Sequence, residues 1–171
     1  MNDIEFWHPG VPFIVILRSA AAEAILRHRQ RGWFSREAGG LLFGNVTAKG
    51  LTVAEATPPQ KKDRRSETSF TVDAPSAQAM IDERFTRGLI YLGEWHSHPF
   101  VVAKPSERDL TTMRSVYSDS THKMAALVFA IVGKSERANG LWCGLQRGDS
   151  TVQLFRRRQR GASTTSTLEG V

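Results

Sequence analysis

Two histidines one residue apart close the apolar run GLIYLGEWHSHP, and a proline follows at once. Alternate side chains of a strand face the same way, so His96 and His98 are expected to point to one side. Two imidazoles held like this make half of a metal site, and the nearby segment PSERD offers Asp109 as a third ligand. Two histidines and one carboxylate, with the fourth position left to water, form the donor set of a catalytic zinc; structural zinc normally takes four protein ligands, often cysteines. The chain has a single cysteine, Cys143, so a cysteine-built zinc site and an internal disulfide are both excluded. Cys143, within LWCGL, reads as a small buried apolar side chain.

Hydrolysis of an amide at such a metal also needs a general base to move the proton of water to the departing amine. Glu37, just before the glycine-rich run AGGLLFG, is the candidate. Gly39, Gly40 and Gly44 would let that backbone lie close to its neighbours. Ser106, three residues before Asp109, offers a hydroxyl for an oxyanion. The same Ser-x-x-Asp spacing also fits a helix-capping box, and the two readings are compatible. Glu94 shares a strand face with His96 and stands either as support for a ligand or as a partner for an approaching basic group. Trp95 should face the opposite way, into the core, while His8, His28 and His122 have no ligand-like spacing to this group.

The elements that must position these residues read as follows. PFIVIL is a short buried strand, and Ser19 should cap an alanine-rich helix ending near Gly32. GGLLFGNV and LTVAEAT form two strands joined by a turn at Lys49-Gly50. Residues 58–68, PPQKKDRRSET, read as a mobile charged loop, with a contact to a substrate tail as the sharper alternative. SFTV is strand again, and Pro75 opens a helix through SAQAMIDERF. GLIYLGEWHSH is a central strand; Ser106 then starts a helix with Leu110, Met113 and Tyr117 at helical spacing. MAALVFAIVG, GLWCGLQ and TVQLFRR supply the last strands. The expected architecture is a single α+β (α/β layered) domain over residues 1–160, with a mixed curved sheet flanked by helices. Residues 161–171, GASTTSTLEGV, have too little apolar content to pack and are expected to be disordered.

At 171 residues the chain suits one domain. Its longest early apolar run, FIVIL, is far short of the roughly 20 residues a bilayer needs. With Glu5, His8 and Pro9 ahead of it, that run also makes a poor signal peptide, which leaves a cytoplasmic location as the expectation. The net charge of +6 collects in QKKDRR and RRRQR, which read as solvated loop and tail. It permits an acidic partner, and a nucleic acid is the weaker expectation.

Glu37 with AGGLLFG, then His96-Ser97-His98-Pro99, then Pro105-Ser106 and Asp109, resembles the JAMM (MPN-plus) motif of the JAB-domain metalloproteases. The spacing from His98 to Asp109 is that of the family, and the order of strands and helices fits over roughly residues 10–157. The resemblance implies a zinc peptidase or isopeptidase acting at the C-terminal tail of a ubiquitin-like protein. It also implies one Zn2+ on His96, His98 and Asp109, with Glu37 handling the water and Ser106 supporting the oxyanion. The wording GEWHSHP is most similar to the prokaryotic branch, and within it to the deconjugases of CBASS-type antiphage operons. Such a protein would have a ubiquitin-like modifier or its conjugated target as partner, with E1-like and E2-like enzymes alongside. Two readings remain beside it: a hydrolase acting on a sulfur-carrier adduct, and a nucleic-acid-linked protein of the RadC type.

Overall fold

A computed structural model describes residues 1–32, 35–135 and 140–157. The chain order is β1 (Ile4–Trp7), β2 (Ile14–Leu17), α1 (Ser19–Arg27), β3 (Gly39–Thr47), β4 (Gly50–Ala56), β5 (Arg64–Arg65) and β6 (Phe70–Thr71). Then follow α2 (Ala74–Thr86), β7 (Ile90–Ser97), α3 (Glu107–Asp119), β8 (Leu127–Val132), β9 (Leu141–Arg147), β10 (Ser150–Gln153) and β11 (Phe155–Arg156).

Nine of these strands build one sheet in the order β10-β9-β8-β7-β3-β4-β2-β1-β11. It is mixed: β7 and β8 run parallel, as do β2 and β4, and the other pairs are antiparallel. Its two edge strands, β10 and β11, are separated in sequence only by Leu154, so the sheet must curl round on itself.

The continuous apolar run of β8 is buried along its whole length, as a strand covered on both faces must be. Val128, Ala130 and Val132 pack toward α1 in the larger core with Ile25, Leu42, Val53 and Leu92. Leu127, Phe129 and Ile131 pack the other way, against Met113 of α3 and Trp142. Leu110, Val116 and Tyr117 complete the α3 contact, which confirms the helical spacing read from the sequence.

Several expectations need correction. β1 went unread, because four residues with only Ile4 and Phe6 facing inward give too brief an alternation to register. Helix α1 stops at Arg27, short of Gly32, and Ser19 is its first residue rather than its cap. The cap is supplied from just before β1, where the Asp3 carboxylate accepts the Ser19 N–H at 2.8 Å. Residues 58–68 are not an open loop throughout. Asp63 accepts from Gln60 N at 2.6 Å and from Asp73 N at 3.0 Å, and β5 pairs with β6 in a small hairpin. The boundary at 160 and the tail 161–171 lie outside the described residues.

Candidate metal centre

Topology brings the candidate ligands together. A parallel pair needs a crossover, and α3 is the crossover from β7 to β8. Its N-terminus therefore starts near the end of β7 from which the chain leaves, where His96 and His98 sit. His98 lies one residue past the strand, yet its N–H still donates to Val132 O at 2.8 Å, which extends the pairing.

The face these histidines share is set by an irregularity upstream. Opposite β3, Leu42 pairs with Gly93 and Phe43 with Tyr91, so Leu92 is an extra residue in β7. Gly93 has φ +141°, and a Cβ there would lie 1.9 Å from Val128 O. Only glycine suits that position. The bulge puts Leu92 and Trp95 together in the larger core and leaves Tyr91, bonded to Glu94, on the α3 side. Trp95 is buried as expected and donates its indole N–H to Thr57 O at 3.0 Å.

The Nε2 atoms of His96 and His98 are 3.1 Å apart, and each is 3.2 Å from a carboxylate oxygen of Asp109. Zinc–donor bonds of about 2.0–2.1 Å in a tetrahedron put neighbouring donors about 3.3 Å apart. His96 reaches Oδ1 and His98 reaches Oδ2 of Asp109, and one donor atom from each of the three residues lies within 4.8 Å of the others, a grouping that could hold a single metal ion. The open side of the triangle meets Glu37, whose Oε1 is 4.0 Å from His98 Nε2.

Helix capping and the candidate metal position meet in one side chain at Asp109. Its Oδ2 accepts from Ser106 N and from Ser106 Oγ, both at 2.6 Å, while Ser106 Oγ accepts from Asp109 N at 3.2 Å. The capping box thus fixes the ligand's direction. Ser106 itself is exposed, on the rim of the site.

The electrostatics follow from this packing. Burial opposes ionisation of Asp109, but hydrogen bonds from His96, His98 and Ser106 outweigh it and hold the carboxyl well below its usual range. Burial would lower His98, yet Asp109, Glu37 and the Lys104 backbone together raise it above its ordinary 6.5. Burial lifts Glu37 to about 7, with His98 and Arg108 pulling down and Asp109 pushing up. Glu94 is likewise lifted to about 7 by burial, against the Tyr91 hydrogen bond. Its carboxylate accepts from the Tyr91 hydroxyl at 3.4 Å. Cys143 is buried and its thiol pushed up to about 12, as suits a core side chain. His8 and His122 serve local turns, through Gly10 N, Tyr117 O and Met124 N, and His28 packs against the Trp95 ring.

Three contributors to the site escaped sequence reasoning. Ser97, fully buried between the two histidines, accepts the Ala38 N–H on its hydroxyl at 2.9 Å and donates its own N–H to Ala38 O at 2.7 Å. The available signal was a serine at an inward-facing strand position, which must find a partner. Arg65 Nε donates to Glu37 O at 2.6 Å, and Glu37 N donates to Ser66 O at 2.7 Å, so the β5–β6 hairpin grips the Glu37 backbone on both sides. Arg108 lines the pocket beside Glu37, together with Thr68, Ser69 and Phe70. Gly39 earns its place here: a Cβ would lie 2.4 Å from the Phe70 ring and 2.7 Å from Trp95 O.

Residues 18–143 match the family model described as prokaryotic homologs of the JAB domain. The chain belongs to the JAB-domain family, in its prokaryotic branch. Among relatives of this JAB protein, a CD-NTase/cGAS isopeptidase of Enterobacter hormaechei subsp. hoffmannii is 26% identical over 158 residues, covering 90% of this chain and 87% of the relative. A protein of the same name from Pseudomonas aeruginosa is 31% identical over 136 residues, covering 78% and 83%. A probable metalloprotease of Sinorhizobium fredii is 26% identical over 167 residues, covering 93% and 99%. The solution structure of a protein from Desulfitobacterium hafniense superposes with a TM-score of 0.59 at 23% identity, covering 80% of this chain and 87% of that one, which bears on the fold.

Proposed function

We propose that this JAB protein is a zinc-dependent isopeptidase that cleaves after the C-terminal tail of a ubiquitin-like modifier, in deconjugation or precursor processing. We infer an antiphage conjugation system as its setting, in line with the CD-NTase/cGAS isopeptidase name of its relatives. The observation that carries the reading is the donor triangle of His96, His98 and Asp109 with the Glu37 carboxyl 4.0 Å from its edge.

His96, His98 and Asp109 would hold the ion. Zinc, when bound, supplies Lewis acidity that makes water acidic near neutral pH and polarises a carbonyl. Glu37, with its backbone clamped by Arg65, Ser66 and the Ala38–Ser97 pair, is rigid enough to take a proton from attacking water and return it to the leaving amine. The Ser106 hydroxyl donates its one proton to Asp109 before substrate arrives. Rotation of that O–H toward the substrate would let it serve the developing oxyanion from the rim, while the Ser106 N–H keeps Asp109 in place. Modifier tails reach the centre along the groove between α2 and α3, which is lined by Leu41, Phe70, Val72, Tyr91 and Val116.

Incubation of the zinc-loaded protein with modifier precursors and conjugates, followed by mass spectrometry, tests this. Cleavage at the carboxyl side of the modifier's terminal residue supports the proposal, and cleavage at unrelated internal bonds or none at all contradicts it.

A further inference from the structure

The groove between α2 and α3 and the metal pocket are separate hollows that share a wall. The groove, about 660 Å³, is lined by Leu41, Val72, Ala77, Ile81, Tyr91 and Val116, and the pocket by Glu37, His96, Arg108 and Asp109. Phe70, Glu94 and Thr112 border both. Glu94 is the charged group at that junction. Among the described residues its hydrogen-bond partner is the Tyr91 hydroxyl at a long 3.4 Å, and no Lys, Arg or His forms an ion pair with it. A carboxyl withdrawn from bulk water without a cation is costly to a fold, and such groups are usually paired. The protein as a whole is basic, at +6, yet the groove presents the acids Glu94 and Asp119.

We propose that Glu94 is a specificity-determining residue that pairs with a cationic side chain of the substrate tail, about two residues before the cleaved bond. The inference rests on the peptidase reading above and adds the tail chemistry to it. Glu94 precedes His96 by two residues on one strand face, a distance of about 7 Å at roughly 3.4 Å per residue. An extended tail lying over the face of β7 advances at the same rate, so the side chain two residues back from the metal site meets Glu94. The apolar groove walls suit the aliphatic stem of an arginine or lysine, whose charged end then reaches the carboxylate. A linear tail fits this walled groove.

The test uses fluorescent eight-residue peptides with a free C-terminal glycine, carrying arginine, norleucine or glutamate two or three residues from the end. Binding is read by anisotropy and needs no turnover. Wild-type protein should bind the arginine peptide about tenfold or more tightly than the norleucine peptide, with the glutamate peptide weakest. Glu94→Gln should bring the arginine and norleucine peptides to near parity. Equal binding by wild type, or an arginine preference that persists in Glu94→Gln, overturns the inference. The wild-type comparison decides even if the variant folds poorly. An arginine preference without cleavage of any conjugate would uphold the groove assignment and sink the peptidase reading; cleavage without that preference would do the reverse.

Discussion

Ser97 and Ala38 exchange two hydrogen bonds, Ala38 N to Ser97 Oγ at 2.9 Å and Ser97 N to Ala38 O at 2.7 Å. The residue between the two histidines is thereby tied to the residue after Glu37, so Glu37 and the two histidines are held in one rigid unit. Ser97→Ala would leave the buried Ala38 N–H without its partner, at a cost of about 1–3 kcal/mol. A melting curve should show that loss, and turnover should fall further than the stability change accounts for, since Glu37 is no longer registered against His98.

Glu37→Gln removes the proton acceptor while preserving shape. Loss of a general base typically costs about 10²–10⁴ in rate. The variant should keep its circular dichroism spectrum and its bound metal, and retention of wild-type turnover would remove Glu37 from the chemistry.

His96→Ala and Asp109→Ala each delete one corner of the donor triangle. Bound zinc measured by plasma emission should drop from one ion per chain to near zero in both. Ser106→Ala releases the Asp109 carboxylate from its cap, so it should weaken metal affinity and also destabilise α3 by about 1 kcal/mol.

The pH behaviour of the protein should invert with metal loading. In metal-free protein His98 is raised above 6.5 and Glu37 is raised to about 7, so both bind protons more tightly folded than unfolded. The stabilisation from His98 is full below 6.5, that from Glu37 is full below about 4.5, and each is lost as pH rises through the folded value. Metal-free protein should therefore melt several degrees lower at pH 8 than at pH 5.5, at about 2–4 °C per kcal/mol for this chain length. Zinc needs a deprotonated His98, so its affinity should fall by about tenfold per pH unit once that ring is protonated, and the loaded protein should be the more stable at pH 8.

Gly93→Ala addresses the bulge. The φ of +141° alone costs about 1–3 kcal/mol for a residue with a Cβ, and the overlap with Val128 O adds to it. Loss of soluble folded protein, or a large drop in melting temperature, is expected; a neutral outcome would mean that β7 does not need the bulge to aim its histidines.

What could be read in advance was whatever single side chains announce. His96, His98 and Asp109 were legible because chemistry demands those types at those spacings, and β8 was legible because an unbroken apolar run has no other place to go. Backbone partnerships have no such signature. The clamp of Arg65 and Ser66 on Glu37 uses main-chain groups of Glu37, so the hairpin that forms it read only as a charged loop. The bulge at Leu92 shifts which residues share a face with His96, and strict alternation put Glu94 there correctly without revealing that its partner is Tyr91. Asp3 as the cap of α1 comes from the segment before β1, sixteen residues away, and a cap at a distance leaves no local pattern.

His96, His98 and Asp109 are expected to hold a metal that the hydrolysis requires. The most direct test is turnover of an isopeptide-linked modifier conjugate by protein stripped with a chelator and then titrated with zinc. Activity should vanish on stripping and return in proportion to zinc, reaching its plateau at one equivalent per chain, while Glu37→Gln stays inactive at every point. Undiminished turnover in fully stripped protein would mean that the hydrolysis needs no metal at His96, His98 and Asp109.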